Sequence, residues 1–195
     1  MAWEYPEPRA GWRGEFDRFV GPGATRAELA LELGFTMLGG VAMLVYAQTS
    51  FPQWSIVQIC VAVLLAFDMA GGVVTNATSS AKRWYHRTGQ GTRQHLQFVA
   101  LHVAHLFIVA WLFRSGDWLY ALVFSIYLLL AAFGILRTTL CLQRPLALGL
   151  TGVAIVMGLI VFTPTPGLEW FIPLLFLKLL VSHLLREEPY LPDQT

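Results

Sequence analysis

Charge is scarce in this chain. Only 13% of its 195 residues are Asp, Glu, Lys or Arg, and 56% are hydrophobic; soluble domains carry about 25% charge. A water-soluble fold of this composition has too little polar surface to cover its core. That excludes an ordinary soluble domain and implies a lipid environment. Cysteine is nearly absent as well. Cys60 and Cys141 make no CxxC and fall in different segments, which excludes a disulfide framework. No basic run is interleaved with aromatics, so no nucleic-acid partner is expected. No internal repeat stands out, which removes sequence support for an inverted-repeat transporter. An early apolar core is also missing: residues 1–25 carry Glu4, Glu7, Glu15 and Asp17. No cleavable signal peptide is expected, and insertion falls to the first spanning helix.

What the chain does have is long apolar runs. Six segments, near 27–47, 53–80, 94–113, 118–136, 145–162 and 168–185, each approach the ~20 residues that cross ~30 Å of hydrocarbon. The fold class is therefore an all-α polytopic transmembrane bundle of about six helices. The punctuation agrees. Thr25 and Glu28 have capping-box spacing, Asp117 is placed to cap the fourth run, and Arg144-Pro145 opens the fifth. Three regions follow: a segment 1–25 with a short amphipathic interfacial helix, a bundle over 26–186, and a tail over 187–195. In that short helix Trp12, Phe16, Phe19 and Val20 share one face, opposite Arg13, Asp17 and Arg18.

Basic residues set the orientation. Arg9, Arg13, Arg18 and Arg26 precede the first run. Lys82, Arg83, Arg87 and Arg93 lie between the second and third, Arg137 and Arg144 between the fourth and fifth, and Arg186 follows the last. The remaining loops hold only Arg114, offset by Asp117. Both termini are expected on the cytoplasmic side of a bacterial-type inner membrane.

Ionisable side chains at membrane depth are costly, usually face the bundle interior, and often mark function. In the second run Asp68, Gly72, Thr75, Asn76, Ser79 and Arg83 recur at three- and four-residue steps, which places them on one helix face. His95, His102 and His105 share a face of the third. If the two helices are antiparallel, residues at equal depth have numbers summing to roughly 173. Asp68 then comes level with His105, and Gly71 and Gly72 with His102, where they leave room for an imidazole. His183, in the sixth run, falls level with Asn76 and His95.

Asp68, His102 and His105 therefore suggest a divalent-metal site, for zinc or iron, with His183 as a fourth ligand if the helices tilt. Metal-bound water would be the nucleophile. Asn76 and Ser79, with Asp68, would act on a substrate entering from the cytoplasmic leaflet. Lys82, Arg83, His86 and Arg87 form a basic rim suited to an anionic head group. Plainer readings stand beside these. Asp68 can pair with Lys178, which is aligned within about one turn of it, and the histidines can be neutral and hydrogen-bonded.

Asp68, Ser79, His86, His102 and His105 are similar in kind to the Ser, Asp and His zinc set of the alkaline ceramidase and adiponectin-receptor superfamily. That superfamily uses seven helices. This chain has six expected runs, its HxxH pair lies in an early one, and its last contains no HxxxH. Membership is not expected. The leading functional expectation is a metal-dependent membrane enzyme acting on a lipid or other hydrophobic substrate. The alternatives are a haem- or quinone-binding redox subunit, a small-solute or proton transporter, and an accessory subunit. Membrane lipids and a homo-oligomer or larger membrane complex are the expected partners.

Overall fold

The computed structural model describes residues 4–187, and helices form nearly all of its regular structure. We number them α1 (Trp12–Val20), α2 (Arg26–Ser50), α3 (Ile56–Thr75), α4 (Ser79–Tyr85), α5 (Thr92–Leu101), α6 (Val103–Phe113), α7 (Trp118–Arg137), α8 (Leu140–Val156) and α9 (Phe171–Phe176). Two of them continue in π form, α8 through Met157–Val161 and α9 through Leu177–His183. Most of the tail expected over 187–195 lies outside the described residues.

Five stretches are long and apolar enough to cross a membrane: Arg26–Ser50, Ile56–Thr75, Thr92–Phe113, Trp118–Arg137 and Leu140–Val161. Their surfaces fit lipid. On α2, Leu31, Leu33, Met37, Leu38, Val41 and Val45 are each at least half exposed, a surface that water would penalise at roughly 25 cal/mol per Å². The sixth expected run is helical only over Phe171–His183, about 20 Å at 1.5 Å per residue. It lies in the middle of the bundle, packed on α3, α7 and α8, with Phe171, Leu175, Phe176, Leu179 and Leu180 fully buried. An apolar helix surrounded by protein is covered at any length.

Local chemistry sets the helix starts. Thr25 and Glu28 close a reciprocal capping box at α2, and Ser55 and Gln58 close another at α3. Asp117 accepts from the Tyr120 amide at α7. Pro145 does not open α8. The helix begins at Leu140 and carries the proline inside it, giving up one ladder bond.

The second expected run, 53–80, divides in two. α3 ends at Thr75, and Thr78 caps a separate short helix, α4. The third breaks at His102, where the backbone tightens to i−3 bonds, His102 N to Val99 O at 3.0 Å and His105 N to His102 O at 3.1 Å. The Phe98 carbonyl thereby loses its usual amide partner and takes the His102 ring instead, Nδ1 to O at 2.8 Å.

The amphipathic helix α1 forms, and the residues it buries are Gly14, Asp17 and Val20, drawn from both of its expected faces. Arg9 binds Asp17 through its backbone amide and its guanidinium, at 2.6–3.2 Å. Val20 is buried, whereas Trp12 and Phe19 are exposed. Tyr85 donates to the Phe19 carbonyl at 2.9 Å, and Ser80 to the Val20 carbonyl at 3.2 Å. Gly21, at φ 93°, approaches the Ser80–Ala81 backbone so closely that a Cβ would overlap it. Glu28 accepts from the Ser80 amide at 3.1 Å. The α1–α2 corner is thus fastened to α4.

Candidate functional site

Two polar clusters meet along α3. The first joins α3, α6 and the last helix. Lys178 Nζ lies 2.7 Å from both carboxylate oxygens of Asp68. His105 Nε2 stands 3.5 Å from Asp68 Oδ2, the approach implied by the antiparallel register, and His102 and His105 stack with ring centroids 5.2 Å apart. Lys178 is buried at 3% exposure, but Asp68 keeps 38%. The reason is a cavity of about 450 Å³, walled by Asp68, Gly72, Asn76, Phe98, His102 and Lys178 among others. Most of its lining is apolar. Leu33 and Leu64, both largely exposed on the outer surface, stand at its edge, and Phe19 and Tyr85 line it toward α1.

The second cluster sits nearer α4. His183 Nδ1 is 3.0 Å from Asn76 Oδ1, His95 Nδ1 is 3.2 Å from His183 Nε2, and Asn76 Nδ2 donates to Gly72 O at 2.7 Å. Phe98 stacks on His183 at 4.0 Å and lies against His102 at 4.7 Å, a plate between the two clusters. His86 packs on His95 at 4.6 Å and bonds the His183 carbonyl at 2.9 Å. Both His86 and His95 line a separate vestibule of about 300 Å³. Burial, reinforced by His95 and Lys82, pushes the His86 imidazole down to about 3, so it is neutral at ordinary pH.

Several expected roles change on this geometry. Asp68, His102, His105 and His183 do not form one ligand set. Both ring nitrogens of His183 are engaged by His95 and Asn76, and both oxygens of Asp68 by Lys178. Among the described residues no group of three or more His, Cys, Asp or Glu is placed to hold a metal ion. Of the histidines, His102 lines the cavity, with its Nδ1 bonded to the Phe98 carbonyl.

The group Asp68, Asn76 and Ser79 also divides. Asp68 and Asn76 share the cavity, while Ser79 lines a different one of about 600 Å³ with Lys82, Gln143 and Arg144. The basic rim turns inward. Lys82 is buried and donates to the carbonyls of Ser182 at 2.5 Å and Leu185 at 2.7 Å, capping the last helix. Burial lowers its ammonium to about 8. Arg83 is buried as well. Arg87 stacks over Trp84 at 3.5 Å and donates to its carbonyl at 2.5 Å. The glycines make room for other groups than an imidazole: a Cβ at Gly72 would strike Lys178, and one at Gly71 would strike Thr36.

Three residues escape sequence reasoning. Phe98 and Tyr85 look like ordinary belt or core aromatics. Glu32 is buried with neither carboxyl oxygen hydrogen-bonded among the described residues. Its signal was present, as a carboxylate one turn beyond the capping Glu28 inside an apolar run.

Comparison with protein-family models, curated proteins and solved structures finds no match to this chain. The fold and the site define an all-helical chain with several apolar, membrane-length helices and a polar centre between them.

Proposed function

We propose that this chain is an integral membrane protein of bacterial inner-membrane type that takes up a lipid-soluble amphiphile from the cytoplasmic leaflet. It binds the head group against Asp68, Lys178 and His102. The distribution of basic residues supports placing α1, α4 and both termini on the cytoplasmic side. One observation carries the reading. The buried ion pair is not sealed, because Asp68 forms the wall of a cavity of about 450 Å³ whose remaining surface is largely apolar. Charges that serve only to neutralise one another in lipid need a partner but no open, largely apolar space beside them. A concave, mostly apolar pocket with a few convergent polar groups is the usual form of a small-molecule site.

The acid–base groups at its polar end suit proton transfer to or from a bound head group. The His102 Nδ1–H is held by the Phe98 carbonyl, which leaves Nε2 as a proton acceptor. Catalysis on the head group is the natural extension of binding. The metal-dependent form of that chemistry finds no assembled ligand set among the described residues.

The test is photolabelling in nanodiscs with octadecyl probes bearing a diazirine near the polar end. Saturable labelling concentrated on α3 and α5, and lost in Leu64→Trp, is the expected result. Leu64 is 64% exposed at the cavity edge, so the indole fills the mouth without disturbing the core. Labelling spread evenly over the lipid-facing surface of α7 and α8 would overturn the reading.

A further inference from the structure

The hydrogen bonds around the cavity assign a donor or acceptor role to most of the polar groups that line it. The assignment starts at the Gly72 carbonyl, which can only accept. Asn76 must therefore present its amide nitrogen there, and its oxygen to His183. His183 then carries its proton on Nδ1, which leaves Nε2 as a lone pair. His95 must in turn donate from its own Nδ1. The whole chain of bonds is satisfied by neutral rings. It locks Asn76 in one orientation, with the second Nδ2–H unused and the residue on the cavity wall. His95 and His183 are thus positioning residues for Asn76.

Other polar groups of the wall spend protons on partners of their own. Thr36 donates to the Glu32 carbonyl at 2.6 Å, and Tyr85 to the Phe19 carbonyl. Lys178 gives two N–H groups to Asp68 and cancels its charge. Left for a ligand are two donors, the second Asn76 N–H and the third N–H of Lys178, the Thr75 hydroxyl, which can donate or accept, and, as acceptors, His102 Nε2 and the remaining lone pairs of Asp68.

Resting on the amphiphile-binding reading above, we infer that the cavity selects a neutral head group carrying a hydroxyl. A hydroxyl donates one proton and accepts others. It can give its proton to His102 or Asp68 while accepting from Asn76. A phosphate or carboxylate anion can accept from Asn76 and Lys178, but it brings no proton for His102 or Asp68, adds its charge beside the Asp68 carboxylate, and meets no net positive charge because Lys178 is already neutralised by Asp68. An ether accepts from Asn76 but leaves His102 and Asp68 without a donor, and an unmade bond in a buried site is expensive. The basic residues that would have welcomed an anion, Lys82 and Arg87, are committed to backbone carbonyls elsewhere.

The test is competition against the diazirine probe on the full chain in nanodiscs, with octadecanol, octadecyl methyl ether and octadecyl phosphate as unlabelled competitors. Octadecanol should compete at a concentration at least about tenfold lower than either of the others, the factor that ~1.4 kcal/mol represents. The advantage should shrink to near parity with the ether in His102→Phe, with thermal unfolding run in parallel to verify folding. If that variant fails to fold, the wild-type comparison alone decides. Equal or tighter competition by the ether or the phosphate overturns the hydroxyl assignment while leaving the cavity a lipid site. Absence of saturable labelling with any competitor overturns the cavity reading itself.

Discussion

Lys178 reaches across from the last helix to bond both carboxylate oxygens of Asp68, at 2.7 Å each, through the space that Gly72 leaves open on α3. The two residues are separated by 110 positions in the chain. Their pairing ties the central, short helix to a membrane-length one and places a charge pair on a cavity wall.

Removing one partner should cost much more than removing both. Asp68→Asn leaves an ammonium buried at 3% exposure without its counter-charge, a loss on the order of 3–5 kcal/mol. Adding Lys178→Met to it should recover most of that loss, because no uncompensated charge remains. Unfolding of the four-member cycle in micelles measures the coupling. Strictly additive losses would mean that the pair contributes nothing as a pair.

Gly72→Ala tests the space itself. A Cβ there overlaps Lys178 Cε, Cδ and Nζ, so the lysine must leave its position or α3 must shift, at about 1–3 kcal/mol. Gly149 provides the opposite case. It lies inside α8, and nothing stands within 4 Å of the point where a methyl group would project. Gly149→Ala should be neutral or stabilising by up to ~1 kcal/mol, from helix propensity alone. Equal melting points for the two variants would remove the steric account of Gly72.

Acid should weaken the α4 corner through His86. In the unfolded chain a histidine takes its proton near 6.5, whereas in the fold His86 does so only at about 3, because burial comes first and His95 and Lys82 add to it. Between those values the unfolded form binds more protons, so the stability contributed by neutral His86 is present above about pH 6.5 and is lost as pH falls toward 3. His86→Gln keeps a donor for the His183 carbonyl but does not titrate. Its melting temperature should fall less than that of the wild type between pH 7 and pH 4. Parallel curves would show that His86 is not the group responsible.

Much of the bundle was legible without coordinates. Apolar runs and caps at Thr25 and Asp117 mark helices by local chemistry, so α2 and α7 begin where expected. Depth was legible too. Counting 1.5 Å per residue from a loop brings Asp68 to His105 and His183 to Asn76 and His95, and those contacts are present. Counting gives height along an axis, however, and not the direction in which a side chain turns. Asp68, His102 and His105, close in depth, therefore looked like one metal site with His183 added by a tilt, whereas His183 bonds Asn76 and His95, His102 bonds the Phe98 carbonyl, and only His105 turns to Asp68.

The break at His102 and the end of α3 at Thr75 lay beyond sequence reading for a related reason. Both runs are apolar and periodic through the break, and the compensation comes from side chain to backbone, His102 to Phe98 and Thr78 to Ala81. The same holds for Lys82. A lysine in a loop reads as a surface cation until the carbonyls of Ser182 and Leu185, about a hundred residues away, are brought to it.

Composition and periodicity alone determined that the chain is helical, apolar enough for lipid, and polar along one face of its second and third long runs, because those properties are set by neighbours within a few turns. Tertiary structure decided which cations are spent on carbonyls, which carboxylate meets which ammonium, and where a cavity is left. These depend on the rotation and crossing of helices, which follow from packing across distant parts of the chain and carry no local periodic signal.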